Sequence, residues 1–387
     1  FLSCALQEAP ATLVYLSLSY PKMFRTSWLI LLITIFHQVS ARTLNYEKLN
    51  STLFPLARCN DGSTAGMYTS TTIDSSATSP RTFVIYLSSG GWCYSKATCD
   101  ARWLTARSLM SSKGYKETED VGGIFDSEAL DDSTVVWINV PYCSSDGHMG
   151  NSDNSDLGFE FRGHEIVKAV LQTTKDRWGV GAGDVVVFGG ASAGARGAMV
   201  HLDYVQNHFF NESEVLGVLD SPLWVDLDPP DWSGKEGLLK QTAAVYDVAG
   251  VGEYSGPDGV VTEDCSSAHK GEEYKCLFGE YRMPFVRPPH LLVSAEYDSF
   301  QLGQDGLSLP FDDKSNFYAS LFGHKMHSVF GALAGSQALD ATFYSQPCYN
   351  HAISMSSKYF QTMNSGGLTL DDAFKAFLSS PTGFTDL

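Results

Sequence analysis

The sequence predicts one α/β domain, a mostly parallel central sheet flanked by helices, and three observations carry that prediction. Short apolar runs alternate with helix-like patterns beyond residue 42. The runs are rich in valine and lack polar alternation, as strands do when both faces are buried. No internal repeat or low-complexity linker interrupts them. The 387-residue chain is 43% hydrophobic and 18% charged, a globular composition, and is long enough for one large α/β domain.

The amino end reads differently. From Met23 the chain runs MFRTSWLILLITIFHQVSA, with Arg25 near its start, an apolar core from Trp28 to Phe36, and small residues up to Ala41. A basic n-region, an apolar h-region and a small-residue cleavage site make 23–41 a secretory signal peptide. The apolar core is too short to span a bilayer comfortably, so no stable membrane insertion is expected. Residues 1–22 precede this Met and read as a non-native upstream extension. The domain is then 42–387, secreted or extracellular, with the cell wall or an endomembrane lumen as possible destinations. The formal net charge is −18, and loss of Lys22, Arg25 and Glu8 with residues 1–41 makes it −19. That balance argues against nucleic acid, whose phosphates it would repel.

Taken in order, the strand-like runs are RTFVIYLSS (81–89), STVVWINV (133–140), DVVVFGG (184–190), VLGVLD (215–220) and PHLLVSAEYD (289–298). Between the second and third, Ile166, Val167, Val170 and Leu171 recur at helix spacing. The segment 225–285 is rich in Gly, Pro and charge, and reads as a cap-like insertion over the sheet's active edge. Secretion makes the cysteines candidates for disulfides. Seven follow residue 41: Cys59, Cys93, Cys99, Cys143, Cys265, Cys276 and Cys348, an odd count that leaves one over. Cys93 with Cys99 and Cys265 with Cys276 are close enough to close small loops, whereas Cys59 with Cys143 would be a long-range staple. No pair has C-x-x-C spacing, so no metal is expected. Asn50-Ser-Thr and Asn211-Glu-Ser are glycosylation sequons that fit secretion.

The third run leads into Gly190-Ala191-Ser192-Ala193-Gly194, a G-x-S-x-G pentapeptide. The pentapeptide alone is weak evidence. Its position is stronger, after a buried strand and before the helical run ARGAMVHLDYVQNHF, because a nucleophile elbow requires that context. Strand and helix crowd such a sharp turn, and the flanking glycines relieve the clash. The Ser192 hydroxyl then stands at the amino end of a helix whose dipole favours developing negative charge. A glycine-rich turn needed only for packing is the plain alternative. A P-loop is not, since no Lys follows and the G-x-G-x-x-G spacing is absent.

A serine needs a base to take its proton and an acid to orient that base. After an elbow of this kind the chain order is Ser, acid, His. Asp298 closes the strand LLVSAEYD, and only His324, His327 and His351 follow it. His324 and His327, in HKMH on a helical stretch, read as an exposed or capping pair rather than as metal ligands. His351 lies in the loop QPCYNHAIS, and on the residues alone the choice of base stays open. The loop YLSSGGWCYSKATCD runs off a strand into Gly90, Gly91 and Trp92. It is placed to aim backbone N–H groups at an oxyanion together with the N–H of Ala193, or is simply a turn stapled by Cys93 and Cys99.

Together GGWCYSKATC, GGASAGARGAMVHLDYV, SAEYDSFQ and CYNH resemble the pectin acetylesterase/Notum family of secreted carboxylesterases. PYCSSDGH and VLDSPLWVD extend the resemblance over roughly residues 50–365. It implies an α/β-hydrolase fold, ester hydrolysis without a cofactor, and a triad of Ser192, Asp298 and His351. It also implies an oxyanion hole of Gly91, Trp92 and Ala193, and supports the pairs Cys59–Cys143 and Cys93–Cys99. Plant members carry a second cysteine just after the histidine, where this chain has HAIS, so Cys348 is expected to be unpaired near the site.

Plant-type relatives remove acetyl groups from pectin, whereas Notum removes a long unsaturated acyl chain from a signalling protein through a deep apolar pocket. The expected substrate is an O-acetyl ester of a polysaccharide such as pectin. A Notum-like deacylase of an acylated protein, or an inactive member that binds acylated glycans or lipids, remains the alternative. A charge near −19 would repel polygalacturonate unless a local basic patch overrides it. Phe300, Phe311, Phe317, Phe322 and Phe330 either line an acyl pocket or pack a core, and the protein is expected to be a monomer.

Overall fold

A computed structural model describes residues 41–70, 80–153, 156–253, 259–336 and 338–381. The expected upstream extension and all of the signal peptide but Ala41 lie outside the described residues. Nine strands form one sheet: β1 (Arg42–Lys48), β2 (Gly66–Thr69), β3 (Thr82–Leu87), β4 (Thr118–Val121), β5 (Val135–Val140), β6 (Val185–Ala191), β7 (Glu214–Asp220), β8 (His290–Ala295) and β9 (Ala341–Gln346). Their order is β4-β1-β2-β5-β3-β6-β7-β8-β9. From β5 to β9 the pairs are parallel, and the β4-β1-β2 edge joins antiparallel.

All five strand-like runs of the sequence are strands. Their continuous apolarity has the expected cause, because alternate residues feed two separate cores. Phe83, Ile85 and Leu87 of β3 join the core under helices α2 (Gly163–Trp178) and α3 (Ala193–Tyr204). Val84 and Tyr86 join the opposite core, closed by Phe374 and Phe377 of the helix Leu370–Ser379. Helix α2 ends where Gly179 adopts φ 59° and donates to Lys175 O, a left-handed cap open to glycine.

The segment 225–285 connects β7 to β8 and contains α4 (Leu238–Val248) with several short turns. The Cys265–Cys276 disulfide staples it, while Cys59–Cys143 and Cys93–Cys99 tie the loops at the carboxyl ends of β3 and β5. Cys348 corrects an expectation: it is disulfide-bonded, not a leftover thiol. No helix among the described residues is long and apolar enough to cross a membrane.

Candidate active site

The parallel strands all point their carboxyl ends at one edge, and the candidate residues are delivered there. Strand β6 breaks into α3 at Ser192, whose backbone sits at φ 55°, ψ −118°. A non-glycine residue persists there only when its surroundings over-determine it. They do. The Ser192 N–H donates to Asp220 O at 2.8 Å, and the flanking glycines admit the helix. A Cβ on Gly190 would lie 2.4 Å from Gly194 C, and one on Gly194 would lie 1.9 Å from Leu87 O.

Asp298 follows β8, is fully buried, and caps the helix Ser299–Gln304, its Oδ1 accepting from Gln301 N at 2.8 Å. Its Oδ2 accepts from His351 Nδ1 at 2.7 Å, and Ser192 Oγ donates to His351 Nε2 at 2.6 Å. His351 arrives on the loop after β9, anchored where Ser299 N donates to Asn350 O at 3.0 Å. Burial lowers the imidazole's pKa, but the charge and hydrogen bond of Asp298, with help from Asp220, outweigh it and leave it above 6.5. The imidazole is thus held as a base that gains by becoming imidazolium.

Facing the serine, β3 runs into Gly90 and Gly91, at φ 154° and 65°. The second value is a left-handed conformation that favours glycine. The Cys93–Cys99 disulfide, the Ser95–Thr98 capping box that opens α1 (Lys96–Thr105), and Cys93 N donating to Ser145 O at 3.1 Å pin this loop. Among the described residues, none accepts from the backbone N–H of Gly91, Trp92 or Ala193.

The structure therefore joins Ser192, His351 and Asp298 in one hydrogen-bonded chain. It leaves His324 and His327 exposed on the helix Asp313–Ala334, with His327 paired to Glu296 at 2.8 Å. Of the five phenylalanines, Phe300 alone stacks on His351, with ring centroids 5.1 Å apart. Phe322 is buried in the core, Phe330 packs on Phe343, Phe311 meets Tyr349, and Phe317 is exposed. No group of three or more His, Cys, Asp or Glu among the described residues could hold a metal ion.

Sequence reasoning gave no role to three residues at this edge. Asp220, at the end of β7, accepts from Ser354 N at 2.7 Å and Ser354 Oγ at 2.5 Å, and so holds the turn after His351. Trp224 stacks on Phe300 at 5.5 Å. Arg196, one turn beyond Ser192, packs its guanidinium against both Trp92 and Trp224. A charged residue in the otherwise small and apolar run ASAGARGAMV was its available signal.

A family model described as Pectinacetylesterase matches residues 38–384. The chain is 32% identical over 282 residues to palmitoleoyl-protein carboxylesterase notum1a of Danio rerio, covering 70% of this chain and 54% of that protein. To the Mus musculus palmitoleoyl-protein carboxylesterase NOTUM it is 30% identical over 351 residues, covering 86% and 66%. The chain thus spans little more than half to two thirds of these curated relatives. The solved structure of the Wnt deacylase Notum from Drosophila superposes with a TM-score of 0.74 at 23% identity, covering 89% of this chain and 95% of that one. That likeness establishes the fold, an α/β-hydrolase with a mixed nine-stranded sheet. With the match over 38–384, the chain belongs to the pectinacetylesterase family.

Proposed function

We propose that the protein is a secreted serine carboxylesterase that hydrolyses O-acyl esters through Ser192, His351 and Asp298. The hydrogen-bonded chain Asp298–His351–Ser192 carries the reading. Ser192 Oγ attacks the ester carbonyl while His351 Nε2 takes its proton. The tetrahedral oxyanion accepts from the backbone N–H groups of Gly91, Trp92 and Ala193. Its collapse expels the alcohol, which receives the proton from His351 and leaves an acyl-Ser192 ester. A water, deprotonated by His351, then attacks that ester, and the second tetrahedral species releases the acid as His351 returns the proton to Ser192 Oγ. Asp298 Oδ2 holds the Nδ1–H tautomer throughout.

The first substrate reading is an acetylated polysaccharide, as the family's description suggests. The second is an acylated protein, favoured by the names of the palmitoleoyl-protein carboxylesterase relatives. The protein acts as a monomer, without cofactor, glycosylated at the exposed Asn50 and Asn211. The test compares acetate release from acetylated pectin with deacylation of a palmitoleoylated peptide, wild type beside Ser192→Ala. Whichever activity the wild type shows is expected to be lost in Ser192→Ala, and its retention in that variant would overturn the proposal.

A further inference from the structure

The wall beside the proposed nucleophile is filled by a buried cation. Arg196 is fully buried on α3. Its guanidinium carbon lies 4.2 Å from the ring centroid of Trp92 and 3.8 Å from that of Trp224. Nη2 donates to Leu277 O at 2.6 Å and to Thr242 Oγ1 at 3.5 Å, which binds it to the 225–285 segment. The two tryptophans meet edge to face at 5.2 Å, Trp224 stacks on Phe300, and Phe300 stacks on His351. One continuous layer thus runs from the loop of the proposed oxyanion donors, through the guanidinium, to the imidazole of the base.

A cation in such a layer is costly to keep. No carboxylate among the described residues pairs with Arg196, and its Nε and Nη1 have no hydrogen-bond partner. A leucine or methionine would fill the space without desolvating a charge. Stability alone therefore does not explain the residue. What the guanidinium offers that an alkyl chain does not is resistance to displacement. Cation–π contact with two indoles and a charge-assisted bond to a carbonyl lock it in place. An alkyl chain extending from the acyl carbonyl into this wall would have to break all three contacts and expose no compensating partner.

We infer that Arg196 is a specificity-determining residue that closes the acyl side of the site and restricts the esterase to short acyl groups, of which acetyl is the type. The inference rests on Ser192 being the esterase nucleophile. It assigns the chain a preference opposed to that of a deacylase for long lipid chains, though the Drosophila Wnt deacylase Notum shares its fold.

The experiment measures kcat/KM for p-nitrophenyl acetate, butyrate, octanoate and palmitate with wild type, Arg196→Ala and Arg196→Leu. Thermal unfolding and stoichiometric titration with a small organophosphate confirm a folded enzyme with a reactive serine. Wild type is expected to fall about tenfold or more from acetate to octanoate, and both variants to raise the octanoate-to-acetate ratio by about tenfold or more. A folded, titratable variant with the wild-type profile overturns the inference. So does a wild-type enzyme that prefers octanoate, a result that holds even where neither variant folds. Absence of hydrolysis above Ser192→Ala at every length, with no titration, would instead remove the esterase reading and the inference with it.

Discussion

Gly194→Ala adds one methyl group where helix α3 crosses the end of β3. Its Cβ would lie 1.9 Å from Leu87 O, 2.5 Å from Leu87 C and 2.9 Å from Ser88 O. Comfortable contact needs roughly 3.5 Å, so helix and strand must part by about 1.5 Å. All three atoms are backbone, and no rotamer change clears them. Overpacking of this kind costs about 3 kcal/mol, and the helix preference of Ala over Gly returns at most about 1 kcal/mol. A net loss near 2 kcal/mol leaves the protein folded. Activity suffers more, because α3 carries Ala193 and the chain beyond β3 carries Gly91 and Trp92. The clash pushes apart the two halves of the proposed oxyanion hole, and a misplacement near 1 Å costs about 100-fold. The assay is kcat/KM for p-nitrophenyl acetate beside thermal unfolding. Gly331→Ala, exposed inside the helix Asp313–Ala334 with nothing within 4 Å of its Cβ, is the control. It should gain up to about 1 kcal/mol without changing turnover. Wild-type turnover by Gly194→Ala would refute the reasoning.

The plot of kcat/KM against pH should rise as His351 loses its proton, with a midpoint above 6.5 because Asp298 and Asp220 favour the imidazolium. Asp298→Asn should lower kcat about 10⁴-fold and move that midpoint down, since burial then prevails; an unmoved midpoint would contradict the assignment. Asp220→Asn should cost far less, about tenfold, since an amide turned toward Ser354 still accepts from its N–H. Removing Cys59–Cys143, which spans 84 residues of sequence, should lower the unfolding free energy by up to about 4.5 kcal/mol, read by urea titration. Burial holds His148 down to about 4 and His164 down to about 3, so both stay neutral in the folded protein and charge near pH 6.5 on unfolding. Their contribution is complete above pH 6.5 and is lost as pH falls toward 4. Asp146, pushed up to about 6 by burial, opposes them below that pH. These three groups together should lose about 2 kcal/mol between pH 6.5 and 5, and His201 and His290, also held below 6.5 by burial, act in the same direction; equal stabilities in equilibrium unfolding would count against it.

The strands that sequence revealed are those whose residues face two cores. β1, β2, β4 and β9 escaped for physical reasons. β4 is TEDV, mostly exposed at the sheet's edge, where charge discourages further pairing. β1 is paired on both sides but buries only Leu44 and shows its polar residues to solvent, β2 has four residues, and β9 is the other edge. Ser192 and Asp298 were legible because each closes a buried strand, and the carboxyl ends of such strands are where a site forms. His351 was not legible on its own residues, because what selects it is a contact across 53 positions to Asp298 and another across 159 to Ser192. Arg196 stood inside the motif itself, yet its meaning depends on Leu277, 81 positions away.

Two buried carboxylates end adjacent strands beside the imidazole, Asp220 on β7 and Asp298 just beyond β8, and chain order admits either as the acid. Their other bonds separate them. Asp298 uses Oδ1 to cap its own helix and leaves Oδ2 for His351 Nδ1. Asp220 has Oδ2 engaged by both the N–H and the hydroxyl of Ser354, and Oδ1 by the Ser221 hydroxyl, whose oxygen in turn accepts from Ala352 N. Ala352 and Ser221 both hold positive φ, at 55° and 62°, a strained pair that these bonds secure. Asp220 therefore grips the backbone on the far side of His351, while Asp298 grips the ring. The proposed base is fixed at both ends, and only one of its two anchors shares its proton. That division is why Asp298→Asn and Asp220→Asn should differ by several orders of magnitude in kcat although both remove a charge near the same imidazole.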